Sequence, residues 1–388
     1  MTEALPIPLL LSRDGLDPIA ELRERRAAEP VSKLELPFGI VAWLVSGYEQ
    51  AKQVLGDATT FSNDIGNLTS ESSEDPGGLG MTDPPYHTKL RRLLTPEFTM
   101  RKLQRLRPRI AEIVDGQLDA IEAAGRPADL VEHFAMPIPS LVICELLGVP
   151  YGDREEFQAL STARFEMGDE SPLDVIGTSL EYLGTLVARE RAKPGDGLLG
   201  QLITEHGDEL TDRELAGLAD GILTGGHETT AASLSLGALA LLQSPDSFAA
   251  LGSADEQTVH LAVEELLRYL SVVQVAFPRF TRAAVRIGDV DIPAGQMVFV
   301  SLSGADRDPA LGPDLERFDP TRPATSHLGF GYGIHRCVGA ELARIELRIA
   351  FPALARRFPT LRPAVSMAEL DFRQTSIVYS AVKMPVVW

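Results

Sequence analysis

The residue best placed to do chemistry is Cys337, in the stretch HLGFGYGIHRCVGAELAR over His327–Arg344, where Gly329, Gly331, Gly333 and Gly339 surround it. Such glycine density marks backbone that must come close to another group. The apolar positions Val338, Leu342, Ile345 and Ile349 recur at helical spacing, so Cys337 stands at the N-terminal end of a helix predicted over Val338–Phe351. Unpaired N–H groups and the positive end of the helix dipole stabilise a thiolate there. A thiolate so placed could be a nucleophile, a zinc ligand or a haem ligand, and most lone cysteines are simply buried structural residues. Zinc is disfavoured because no second cysteine or spaced histidine pair accompanies it. A dinucleotide loop is disfavoured because Gly331-Tyr332-Gly333 lacks the third glycine and a preceding strand.

Other groups could act with it. Gly225-Gly226-His227-Glu228-Thr229-Thr230 lies inside a long apolar helical pattern. Two adjacent glycines in a helix cost about 1 kcal/mol each relative to alanine, so something must offset them. Gly225 and Thr229 are four apart and share a face, which leaves room beside the hydroxyl for a small ligand; close helix packing is the ordinary alternative. Glu265 and Arg268 are an i,i+3 pair, in isolation an unremarked surface contact worth about 0.2–0.5 kcal/mol. His87 and Arg91 share a helical face in DPPYHTKLRRL, and Arg279 follows Phe277-Pro278. Taken singly, such basic residues are usually solvated.

Helices must carry most of these groups. Helical periodicity predicts Ile110–Ala124, Asp153–Ser161, Ser179–Ala192, Asp212–Leu242, Ala254–Tyr269 and Val338–Phe351. Alternating segments predict strands at Val41–Val45, Val285–Ile292 and Met297–Leu302, the last two joined by the turn Pro293-Ala294-Gly295. The fold class is therefore mainly α with a smaller β region (α+β). The irregular stretches Ser62–Gly80 and Met167–Pro172 are candidate binding loops or lids.

Of the 388 residues 44% are apolar and evenly spread, without a linker, which predicts a single domain over residues 1–388. A net charge of −19 argues against general nucleic-acid binding. Only Cys144 and Cys337 occur, which suits a reducing cytoplasm. The apolar run Ala4–Leu11 follows Glu3, contains two prolines and lacks a basic leading region, so neither a signal peptide nor a membrane span is expected. Leu215–Leu242 is interrupted by Asp220, His227 and Glu228 and reads as a buried helix.

Phe330-Gly331-X-Gly333-X-His335-X-Cys337-X-Gly339 resembles the haem-binding loop of the cytochromes P-450. The resemblance extends to Glu228-Thr229, to Glu265-X-X-Arg268, to Lys193-Pro194-Gly195-Asp196 and to the terminal Met384–Trp388, and so spans nearly the whole chain. It implies that fold, with haem b between the long central helix and the helix after the cysteine loop. It implies that Cys337 ligates the iron, Phe330 packs beside the thiolate, and the Gly339 N–H tunes the sulfur. His87, Arg91, Arg279 and His335 would hold the propionates. Glu228 and Thr229 would deliver protons during O2 activation, with His227 and Thr230 in packing or solvent-network roles. Glu265, Arg268 and Arg322 would lock the core beneath the haem.

The implied activity is hydroxylation, or epoxidation or aryl coupling, of a lipophilic small molecule, in the manner of soluble bacterial members that act in antibiotic biosynthesis. Candidate pocket residues are Leu68, Leu79, Gly225, Val273, Val275, Ile377 and Val378, with the Met167 loop as lid; all but the glycine among the seven are apolar. Lys89–Arg109 holds eight basic residues and one acid, Glu97, either a solvated face or a docking patch for an acidic carrier. Fifty-one residues follow Cys337, so a fused reductase is not expected and electrons would come from ferredoxin and an NAD(P)H-dependent ferredoxin reductase. A peroxygenase, nitric-oxide reductase or dehydratase on the same scaffold is an alternative, against which Glu228-Thr229 argues. A non-catalytic haem protein that binds a ligand or senses gas is another.

Overall fold

The computed structural model describes residues 7–36, 41–64, 78–163, 172–374 and 376–388. At its centre runs the 31-residue helix Asp212–Leu242, roughly 46 Å long at 1.5 Å per residue. A capping box starts it: Thr211 Oγ1 accepts from Glu214 N at 3.2 Å, and Thr211 N donates to the Glu214 carboxylate at 2.8 Å. Its second half, Thr230–Leu242, is buried on nearly every face except at Ser233, as a helix enclosed by others must be. The helices Pro137–Leu147, Pro172–Ala192, Glu256–Leu270 and Ala340–Arg357 pack around it. Gly237 permits the closest approach of the last: a Cβ there would lie 2.5 Å from the Phe351 ring.

The β region is small. Val41–Val45 pairs in parallel with Met297–Val300 and antiparallel with Val31–Glu35, in a five-stranded sheet completed by Arg279–Thr281 and Phe61–Ser62. The predicted strand Val285–Ile292 is a separate two-stranded hairpin, Val285–Ile287 and Val290–Ile292, because Gly288 turns the chain at φ 56°. Leu302 leaves the Met297 strand to open a helical turn, Leu302–Ala305.

Helix bounds also shift. The helix predicted from Ser179 begins at Pro172, since proline suits a first turn, and the one predicted to stop at Phe351 runs on to Arg357. Pro352 removes one hydrogen bond, but buried Ala353, Leu354 and Ala355 carry the helix past it. Among the described residues no helix is long and apolar enough to cross a membrane.

Candidate active site

The cysteine loop is shaped by two left-handed glycines, Gly331 at φ 70° and Gly333 at φ 74°. A Cβ on Gly333 would also sit 2.3 Å from the Leu55 carbonyl oxygen, so both conformation and space demand glycine. Cys337 N donates to Phe330 O at 2.9 Å, and the helix begins at Ala340. Cys337 is exposed as a residue, while protein atoms crowd around its thiol. Burial pushes its thiol up; the Gly339 N–H and the charges of Arg91, Arg336 and Arg344 pull it back toward the thiolate. Cys144 is a core residue, its thiol pushed up by burial to about 12.

The loop hangs on a buried network. Arg268, 1% exposed, donates from Nε and Nη2 to both Glu265 oxygens at 2.8 and 2.9 Å, and from Nη1 to the carbonyls of Asp306 and Leu315 at 2.9 Å each. Arg322 Nε joins Glu265 at 3.1 Å, as expected of the third member. Asp306 was not singled out from the sequence, yet it is wholly buried. It accepts from Ser271 Oγ at 2.8 Å and from Leu328 N at 2.6 Å, joining the Glu265 helix to the start of the cysteine loop. The first of the two aspartates in ADRDP carries no pattern by which that role could be read.

Four basic groups converge on one region. The His87 and His335 rings stand 4.2 Å apart, and each ring is lowered in pKa by burial and then by neighbouring positive charge, His335 to about 4. Neither His87 nitrogen finds a partner among the described residues, nor does His335 Nε2; His335 Nδ1 donates to Leu79 O at 3.1 Å. Among the described residues Arg279, 3% exposed, donates only to Phe277 O, and it is lowered by burial to about 10. Arg91 likewise has no carboxylate in contact among the described residues. Buried donors left unpaired are costly. Two carboxylates brought among them would satisfy the guanidinium and His87 donors, and would pair with His335 Nε2 once that ring, which already donates from Nδ1, takes up a proton, so these residues fit the propionate edge of a haem.

On the central helix Thr229 Oγ1 donates to Gly225 O at 2.6 Å. A Cβ on Gly225 would meet nothing within 4 Å, so this glycine leaves open space, as predicted, whereas one on Gly226 would lie 3.2 Å from Ile143 and serves close packing. His227 is fully buried with Nε2 donating to Met136 O at 3.0 Å, and Thr230 is buried. Glu228 lies on the other side, 3.4 Å from Arg373, in the wall of a cavity of about 430 Å³. Burial pushes its carboxyl up, and Arg373 opposes that.

The pocket candidates scatter. Val273 and Val378 bridge two segments, Leu79 is half-buried, and Ile377 is exposed. Val275 is drawn into a core cluster with Leu9, Leu34 and Leu44, because its backbone pairs with Ser301 at the end of the sheet. Leu68 and the Met167 loop lie outside the described residues.

The basic segment is also less free than its composition suggests. Lys89 pairs with Glu214 at 2.8 Å, Arg92 with Glu209 at 2.9 Å, Arg109 with Glu145 at 2.7 Å, and Lys102 with Glu97. Arg101 and Arg105 remain exposed. Among the described residues no cluster of three or more His, Cys, Asp or Glu could hold a bare metal ion.

Comparisons with known proteins agree with this geometry. The family model described as cytochrome P-450 matches residues 37–193 and 189–383. Cytochrome P-450 165B3 of Amycolatopsis orientalis is 39% identical over 100% of both chains. The cytochrome P-450 monooxygenase PikC of Streptomyces venezuelae is 42% identical, covering 96% of this chain and 91% of its own. The structure of OxyC, a cytochrome P-450 implicated in an oxidative C–C coupling reaction during vancomycin biosynthesis, superposes with TM-score 0.90 at 39% identity over 97% of this chain and 96% of its own.

Proposed function

Because the chain belongs to the cytochrome P-450 family, it is a haem-thiolate monooxygenase, and we propose that Cys337 is its iron ligand and Glu228 and Thr229 its proton-delivery pair. The observation that carries the reading is the convergence of two histidine rings with unpaired nitrogens, His87 and His335, and the guanidinium groups of Arg91 and Arg279 beside a thiol that precedes a helix N-terminus. When bound, a haem with a thiolate ligand activates dioxygen, the sulfur pushing electron density toward O–O cleavage.

The chain's own residues do the rest. The Gly339 N–H and the charges of Arg91 and Arg336 oppose the burial that pushes the Cys337 thiol up, and so favour its thiolate form. His87, Arg91, Arg279 and His335 hold the propionates and thereby orient the ring plane. Glu228, whose carboxyl keeps its proton to higher pH than an exposed one, passes it across the helix to the Thr229 hydroxyl. Thr229 spends its own hydrogen on Gly225 O, which leaves its oxygen lone pairs free to accept the next proton.

The substrate we propose is a lipophilic small molecule of secondary metabolism, hydroxylated or epoxidised in the cytoplasm. Electrons would come from a ferredoxin and its NAD(P)H-dependent reductase, docking where Arg101, Arg105 and Arg336 are exposed without acidic partners among the described residues. Oxidative carbon–carbon coupling is the second reading, favoured by the 39% identity to OxyC.

The ferrous-CO spectrum tests the ligand. Wild type should give a strongly red-shifted Soret band, and Cys337→His should bind haem without it. An unshifted band in folded wild type would overturn the assignment. Turnover with ferredoxin, reductase and oxygen should exceed turnover with hydrogen peroxide alone; the reverse would exclude the Glu228-Thr229 role.

A further inference from the structure

Behind the cysteine loop lies a charged cluster that none of the roles above uses. Glu264, the residue before the Glu265 of the buried pair, is held by partners from three elements. Arg344 grips it with a fork, Nε to Oε1 and Nη2 to Oε2 at 2.8 Å each. Arg348 Nη2 approaches Oε1 at 3.2 Å, and His260 Nδ1 stands 3.8 Å away. His327 Nε2 lies 3.3 Å from Oε2. Since His327 Nδ1 accepts from Gly329 N at 3.2 Å, its proton is on Nε2 and it donates to Glu264. One carboxylate therefore anchors the cysteine loop before the thiol, at residues 327–329, and after it, at Arg344.

Arg344 does more than close this clamp. Its third contact is Glu341, from Nη1 at 3.0 Å, and its guanidinium carbon stands 4.6 Å from the centre of the Phe330 ring. Phe330 is the residue whose carbonyl receives the Cys337 N–H. The side chain of Arg344 is 11% exposed, so its charge is poorly screened. A surface arginine serving solubility would have neither the fork nor the ring.

We propose that Arg344, clamped by Glu264, is a positioning residue that sets how strongly the Cys337 sulfur donates electrons to the haem iron. A fixed positive charge over Phe330, the residue whose carbonyl holds the Cys337 N–H, draws electron density from the sulfur, weakens its donation and so raises the ferric/ferrous potential. Glu264 supplies the geometry, holding the guanidinium over the Phe330 ring rather than letting it swing to solvent. The inference rests on Cys337 being the ligand.

The test is the midpoint potential and ferrous-CO band of the haem-loaded full chain. Arg344→Gln should shift the reduction equilibrium toward the ferric form by roughly threefold, about 30 mV for one electron. Arg344→Lys, which keeps the charge, should recover most of that shift. Arg348→Gln touches the same carboxylate but not Phe330, and should leave the potential unchanged. If Arg344→Gln keeps the wild-type potential, or Arg348→Gln moves it as far, the proposal falls. Should Arg344→Gln fail to bind haem, Glu264→Gln decides: a potential shifted to either side, or a CO complex split between two bands, supports the clamp, and wild-type values overturn it. A wild type without the red-shifted band would instead refute the ligand assignment, which the same spectra report separately.

Discussion

The rings of His87 and His335 face each other at 4.2 Å although the residues are far apart in the chain, and three of their four nitrogens have no partner among the described residues. One ring comes from the Tyr86–Leu94 helix and the other from the cysteine loop, so the pair measures how closely those elements are brought together. Unpaired donors in that position are poised for anions, and Arg279 and Arg91 add permanent charge beside them.

Haem retention should depend on that charge. Arg279→Leu removes a buried guanidinium that forms no ion pair among the described residues, so its loss costs the fold little and the ligand much. A charge-assisted hydrogen bond is worth about 1.5–3 kcal/mol, so haem loss to a scavenger protein should speed up by about ten- to hundredfold. An unchanged rate would remove Arg279 from the propionate set.

Glu228→Gln should slow product formation by about 100-fold, the low end for losing a positioned proton donor, with substrate binding little changed. Thr229→Val, which keeps the shape and removes the hydroxyl, should let NAD(P)H consumption continue while product falls. Comparing product formed with NAD(P)H consumed checks both, and full coupling in Thr229→Val would exclude the hydroxyl from the relay.

Glu265→Ala should be the most damaging change away from the cysteine. It leaves Arg268, 1% exposed, without its carboxylate, and breaking a buried pair on one side costs about 3–5 kcal/mol. Denaturant unfolding should show that loss together with loss of bound haem, since Arg268 and Asp306 connect to Leu328 at the head of the loop. A stability loss under about 1 kcal/mol would contradict a structural lock.

Glu346, on the cysteine helix, is fully enclosed, its Oε2 has no hydrogen-bond partner among the described residues, and burial pushes its carboxyl up to about 8. Its folded pKa exceeds its unfolded one, so the folded state holds the extra proton, and stability present at acid pH is lost as pH rises from about 4.5 toward 8. Glu346→Gln abolishes this titration. Its stability relative to wild type should therefore rise between pH 5.5 and 8 in denaturant titrations, and a difference independent of pH would mean that Glu346 ionises freely in the fold.

Much of this molecule was legible in one dimension because the relevant signals are local. The glycines around Cys337 announce a tight loop, the 3.6-residue periodicity announces the central helix, and Glu228-Thr229 are neighbours in the chain. Glycine needs at Gly331 and Gly333, and the capping box at Thr211 and Glu214, follow from backbone geometry that a residue carries with it. Partner choice is different, because it depends on which distant element arrives. Lys89, Arg92 and Arg109 read as part of a docking patch until packing brings Glu214, Glu209 and Glu145 to them. Val275 reads as a pocket residue until sheet pairing turns it into the core. Asp306, Arg373 and the Glu264–Arg344 clamp have no motif at all, since each draws its role from groups dozens to hundreds of positions away. The sequence by itself determined the chemistry the chain carries; only the tertiary structure decided which charges stay free to use, because a charge is spent or spared by its neighbours in space.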